Sequence, residues 1–157
     1  SSDLALRLAR AAGAAGMVLG QAQDIAAETA ATPLDLAQIT ELQQGKTGAL
    51  ISWSAQAGAI LAQEDPAPLM QYSAALGLGF QITDDILDVE GDPEKTGKRL
   101  NKDAKAGKAT FVSLLGLDGA KERAKQLISE ACDAVTPLGI KAEPLQHCAK
   151  FIISRES

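Results

Sequence analysis

Apolar residues recur at helical spacing along almost the whole chain, and the strict alternation of a strand is nearly absent, so the pattern predicts an all-α protein. A first helix is expected over residues 3–28, tolerating Gly13, Gly16 and Gly20 where a neighbouring helix comes too close for a side chain. Thr32 and Pro33 read as N-cap and first residue of a second helix, which reaches a break near Gly45. A third continues to about Ala62. Asp65 and Pro66 repeat the start signal for a fourth and longest helix, ending near Glu90. Over 91–110 the periodicity gives way to glycine, proline and charge, which predicts an ordered loop. A short helix over 111–115 should follow, then two amphipathic helices over 119–135 and 143–155, parted by Pro137 and Gly139.

Composition narrows the class. The 157 residues are 46% hydrophobic, enough for a single domain or one large piece of a bigger one, without internal repeats or low-complexity linkers. Only 3% are aromatic and alanine is abundant, which suits closely packed helices rather than a β-sandwich. A net charge of −5 speaks against nucleic acid as a partner, although a local basic patch could still hold a diphosphate. No run reaches the ~20 apolar residues of a transmembrane segment. Arg7 and Arg10 interrupt the early apolar stretch that might pass for a signal peptide, so the expectation is a soluble, cytoplasmic protein. Cys132 and Cys148 match no metal spacing and read as buried free thiols in a reducing compartment. His147 has no ligand spacing around it and is given no role.

The fourth helix carries the candidate chemistry. Asp84, Asp85 and Asp88 lie among Leu76, Leu78, Phe80, Ile82, Ile86, Leu87 and Val89, where unpaired carboxylates would be costly. Asp84 and Asp88 share one face at i,i+4, and Asp85 shares a row with Gln81. Three like charges cannot all ionise cheaply without a cation between them, and all-oxygen ligation suits Mg2+ completed by water and phosphate oxygens. A solvated acidic face is the plain alternative. Against it stand the apolar surroundings and six basic residues downstream: Lys95, Lys98, Arg99, Lys102, Lys105 and Lys108. Such a basic loop beside metal-ligating aspartates is what an Mg2+-bridged diphosphate requires. An EF-hand reading of Asp88, Glu90 and Asp92 fails, because Pro93 stands at the turn glycine and Arg99 at the closing glutamate.

The run Phe80-Gln81-Ile82-Thr83-Asp84-Asp85-Ile86-Leu87-Asp88, followed by Gly91-Asp92 and Gly97-Lys98, resembles the second aspartate-rich region of the trans-prenyl diphosphate synthases, bacterial farnesyl and geranylgeranyl types above all. Further likenesses fall in order: Gly20-Gln21-Ala22-x-Asp24, Lys46-Thr47-Gly48-Ala49-Leu50-Ile51, Gly107-Lys108-Ala109-Thr110 and Leu114-Leu115-Gly116-Leu117. The family's earlier aspartate-rich motif is missing before Gln21. Residues 1–157 are therefore expected to be the C-terminal part of one prenyl synthase domain, an isoprenoid synthase helical bundle, and to be inactive alone. Terpene cyclases share that fold, but Lys46-Thr47 and Gly97-Lys98 resemble the chain-elongating enzymes.

The resemblance implies Mg2+-assisted ionisation of an allylic diphosphate and its head-to-tail condensation with isopentenyl diphosphate. Asp84, Asp85 and Asp88 would hold the metal, and Asp84, Asp85, Lys46 and Lys98 would carry catalysis. Lys46, Lys98 and Lys108 would bind diphosphate, Thr47 would line the reacting end of the allylic chain, and Gln81 and Gln21 would face the substrate. Asp24 would support Gln21, and Phe80 would exclude water or turn its ring toward a developing cation, with a plain core role as the alternative. A homodimer is implied for the complete enzyme. A non-catalytic, prenyl-synthase-like binding subunit is the alternative, opposed by the intact Asp, Gln and Lys set.

Overall fold

The computed structural model describes residues 2–90 and 109–155, and among these every regular element is helical. α1 (Ser2–Ala12) and α2 (Met17–Glu28) are followed by α3 (Leu36–Gln43), which runs through a π-helical turn (Gln44–Gly48) into α4 (Ala49–Ala62). α5 (Ala67–Glu90), α6 (Phe111–Val135), a 3-10 segment (Thr136–Ala142) and α7 (Glu143–Ser154) complete the order. Most of the expected loop over 91–110 lies outside the described residues.

Local chemistry explains where the elements begin and break. The single helix expected over 3–28 is two, because residues 13–16 form a turn, and glycine at both ends of that turn favours leaving the helix. The next helix starts at Asp35 rather than Thr32. The Asp35 carboxylate accepts from the Gln38 amide at 2.9 Å while the Gln38 side chain accepts from the Asp35 amide at 2.9 Å, a reciprocal capping box. No break occurs at Gly45, since the π turn keeps the backbone helical from α3 into α4. α5 begins where expected, with Asp65 accepting from the Ala67 amide at 3.0 Å. Gly116, at φ 71°, kinks α6 and separates the expected 111–115 helix from the longer one after it, a conformation that favours glycine.

The core lies between α5 and α6. Leu76 and Ile82 of α5 pack with Ala120, Ala124, Leu127, Ile128 and Ala131 of α6, and the alanines at helical spacing allow close approach. Large side chains such as Ile82 and Phe111, each 1% exposed, contribute about 1.5–3 kcal/mol apiece on burial. Tyr72 ties α5 to α7, its hydroxyl donating to the Leu145 carbonyl at 2.9 Å. Burial first, and then Cys148 beside it, holds this phenol well above its ordinary range.

Both cysteines are free, but the expectation of buried thiols needs correction. Cys148 is exposed on α7 and Cys132 is half-buried, its thiol pushed up by burial and eased by Lys150. Among the described residues no helix is long and apolar enough to cross a membrane.

Candidate functional site

Lys46 and Thr47 occupy the π turn, an irregularity that widens the helix and often marks functional positions. Backbones press against it from two sides. A Cβ on Gly20 of α2 would lie 2.2 Å from the Lys46 amide nitrogen, so no larger residue fits without moving α2. On the other side a Cβ on Gly77 of α5 would lie 3.3 Å from Gly48 Cα. The clamped turn sets Lys46 Nζ 2.6 Å from Asp24 Oδ2 of α2. Side-chain exposure is 5% for the aspartate and 32% for the lysine, so the carboxylate is the anchor and the ammonium the presented partner.

A chain of hydrogen bonds crosses from this turn to α5 and α6. Thr47 Oγ1 donates to Gln81 Oε1 over a long 3.5 Å, and Gln81 Nε2 donates to Asp85 Oδ1 at 3.2 Å. The Phe111 amide, at the first position of α6, donates to Asp85 Oδ2 at 2.8 Å. Asp85 is only 6% exposed. Burial of its carboxylate is tolerable because a helix N-terminus supplies both the amide and a positive field.

Asp84 and Asp88 lie in the last two turns of α5, where the helix dipole is already negative and further carboxylates call for cations. Two arrive from neighbouring helices. Lys121 of α6 pairs with Glu90 at 2.7 Å, and Arg155, just past α7, pairs through Nη2 with Asp84 Oδ1. The same Nη2 lies 3.4 Å from the Phe80 carbonyl oxygen, and the guanidinium sits 4.2 Å above the centre of the Phe80 ring. Here the guanidinium is the sheltered partner, 14% exposed against 42% for the carboxylate.

Among the described residues no three His, Cys, Asp or Glu side chains converge to enclose a metal ion. The three aspartates therefore form no all-protein cage, and Asp85 is committed to Gln81 and Phe111. Asp84 and Asp88, one turn apart with hard anionic oxygens and neither in the buried core, still fit Mg2+. That ion commonly takes one or two carboxylates and fills its octahedron with water and phosphate oxygens.

The fold thus gathers Lys46, Thr47, Phe80, Gln81, Asp84 and Asp85 into one connected seam. Gln21 is exposed on α2 and joins none of these hydrogen bonds. Lys98 and Lys108 lie outside the described residues, as do Lys95, Arg99, Lys102 and Lys105. Two participants are not evident from sequence. Asp24 reads only as support for Gln21, whereas it holds Lys46. Arg155 reads as the end of an amphipathic helix, and its one signal is a lone cation after the apolar run Phe151-Ile152-Ile153.

Comparison with known proteins gives the family and the fold. Residues 6–137 match the sequence profile of the polyprenyl synthetase family. Farnesyl diphosphate synthase of Bacillus subtilis is 39% identical over 163 residues, which cover 99% of this chain and 54% of the relative. The FPP/GFPP synthase structure from Zymomonas mobilis superposes with a TM-score of 0.83 at 42% identity, covering 96% of this chain and 50% of that one. A geranyltransferase structure from Helicobacter pylori, complexed with magnesium and isoprenyl diphosphate, gives 0.79 at 35% identity, with coverage of 98% and 50%. The chain spans about half the length of the curated relatives it matches. Its helices share the isoprenoid synthase fold, and by the match across most of its length the chain belongs to the polyprenyl synthetase family.

Proposed function

We propose that this chain supplies the allylic-diphosphate side of a prenyltransferase that condenses isopentenyl diphosphate with an allylic diphosphate. The observation that carries the reading is the pairing of opposite presentations along one seam. Lys46 is offered by a buried aspartate, and Asp84 is offered by a sheltered arginine one helical turn from Gln81.

The chain's own residues then have distinct tasks. As the allylic C–O bond breaks, both electrons go to the diphosphate oxygen, and the Lys46 ammonium faces the growing negative charge. Asp24 limits where that ammonium can point. Gln81 and Thr47 orient polar atoms beside it, and Asp85 fixes Gln81 while tying the start of α6 to α5. Asp84 and Asp88 would hold Mg2+, which when bound supplies charge neutralisation on the leaving diphosphate. Lys98, Lys108 and Gln21 remain substrate contacts on the family likeness alone, and the same likeness supports a homodimer and a cytoplasmic setting. No protein nucleophile is needed.

The test is incorporation of labelled isopentenyl diphosphate into a longer allylic product by the protein carrying this sequence, with Mg2+ present. Lys46→Gln and Asp84→Asn should each slow turnover by about 10²–10³, the loss typical of removing one group that stabilises developing charge. Near-normal turnover of both variants at saturating Mg2+ would reject the reading.

A further inference from the structure

Among the described residues the Arg155 contact with Asp84 differs from the other ion pairs in how deeply its cation is sheltered. Its guanidinium is sheltered, yet its Nε is buried with no hydrogen-bond partner among the described residues. The group carries five donors, and the partners it finds are Asp84 Oδ1 and the Phe80 carbonyl oxygen, both through Nη2. Its face rests on the Phe80 ring, a second attraction that does not involve Asp84. Arg155 is also the C-cap of α7, with an extended backbone at φ −70° and ψ 146°, so its side chain can change partners without unwinding that helix.

We propose that Arg155 is a resident counter-cation that occupies Asp84 in the metal-free site and must give up that carboxylate to an incoming divalent ion. The inference rests on reading Asp84 as a metal ligand. A divalent ion binds carboxylate oxygen at about 2.0–2.1 Å, and a guanidinium on the same carboxylate opposes it by like charge. Metal binding at Asp84 is therefore an exchange of one cation for another. The incomplete hydrogen bonding of the guanidinium, and the Phe80 contact it already makes without Asp84, make it suited to give up that carboxylate. Without a metal, the same contact keeps the acidic end of α5 from repelling itself.

Mn2+ alone, titrated into the full chain without diphosphate and followed by loss of the free-ion electron paramagnetic resonance signal, tests both layers. Arg155→Gln should tighten Mn2+ about tenfold, while Arg155→Lys, which keeps the charge, should stay near the parent value. Asp84→Asn should abolish this binding, and adding Arg155→Gln in that background should restore nothing. If Asp84→Asn abolishes binding but Arg155→Gln leaves the affinity equal or weaker, the exchange is wrong and the metal reading stands. If Asp84→Asn binds Mn2+ like the parent, the metal reading falls and the exchange falls with it. A second readout needs no variant to fold. In the unsubstituted protein the Arg155 Nε–H resonance should shift on saturation with Mg2+, and an unmoved resonance would overturn the proposal.

Discussion

The two ion pairs of the seam are built in opposite senses. In Asp24–Lys46 the acid is buried and the base reaches toward solvent, with exposures of 5% and 32%; in Asp84–Arg155 the base is sheltered and the acid reaches out, with 14% and 42%. Neither pair is an argument for stability, since desolvation offsets much of the attraction in such contacts. What they do is fix a side chain of chosen sign. In the proposed function one wall offers a cation to an anionic leaving group and the other an anion to a metal. Thr47, Gln81 and Asp85 link the turn that carries Lys46 to the helix that carries Asp84.

Breaking the platform under the first pair should have the largest effect. Gly20→Val places a side chain against the Lys46 backbone, forces α2 away and should cost about 3 kcal/mol in a denaturant melt, with loss of diphosphate binding. Asp85→Ala removes the link between the walls. It leaves the Phe111 amide without its carboxylate and should cost about 2 kcal/mol, measured the same way. Asp84→Ala withdraws the carboxylate from Arg155, but partial exposure and relief of repulsion from neighbouring aspartates limit the loss to about 1 kcal/mol or less. A stability loss at Asp84 larger than at Asp85 would reverse the division of labour between presented and buried carboxylates.

The remaining two changes fall outside the seam; the first is its control and the second tests a contact that rests on the family likeness. Tyr72→Phe loses one hydrogen bond, about 1 kcal/mol at neutral pH. It should also alter the alkaline limb. The phenol ionises near pH 10 once unfolded but is held neutral in the fold, so this contribution is complete below about pH 10 and declines as pH rises beyond it. Melts across that range should show a shallower decline in the phenylalanine variant. Gln21→Ala, on an exposed face, should change stability by less than about 0.5 kcal/mol, and an equally small change in diphosphate affinity would remove Gln21 from the substrate site.

Much of this was legible in the sequence where a local signal had a single reading. The Asp65-Pro66 start, the length of α5, the end of the short helix at Gly116 and the grouping of Gln81 with the aspartates follow from caps and helical period. Competing local signals were harder. Asp35 and Gln38 form a capping box that Thr32-Pro33 outshines on paper, and residues 13–16 turn where close packing alone is enough to account for the glycines. The π turn leaves no compositional mark distinguishing it from a helix break at Gly45. Least legible were contacts across long stretches of chain. Asp24 meets Lys46 22 residues on, and Arg155 meets Asp84 71 residues back; only tertiary packing decides such partners.

The most direct test of the two-wall arrangement is the dependence of pyrophosphate affinity on Mg2+, measured by titration calorimetry in the parent protein, Lys46→Gln and Asp84→Asn. Mg2+ should tighten pyrophosphate in the parent. Lys46→Gln should weaken binding both with and without the metal, whereas Asp84→Asn should leave metal-free binding intact and abolish the enhancement. An Mg2+ enhancement of parental size in Asp84→Asn, or metal-free binding unchanged by Lys46→Gln, would contradict the assignment of the two walls.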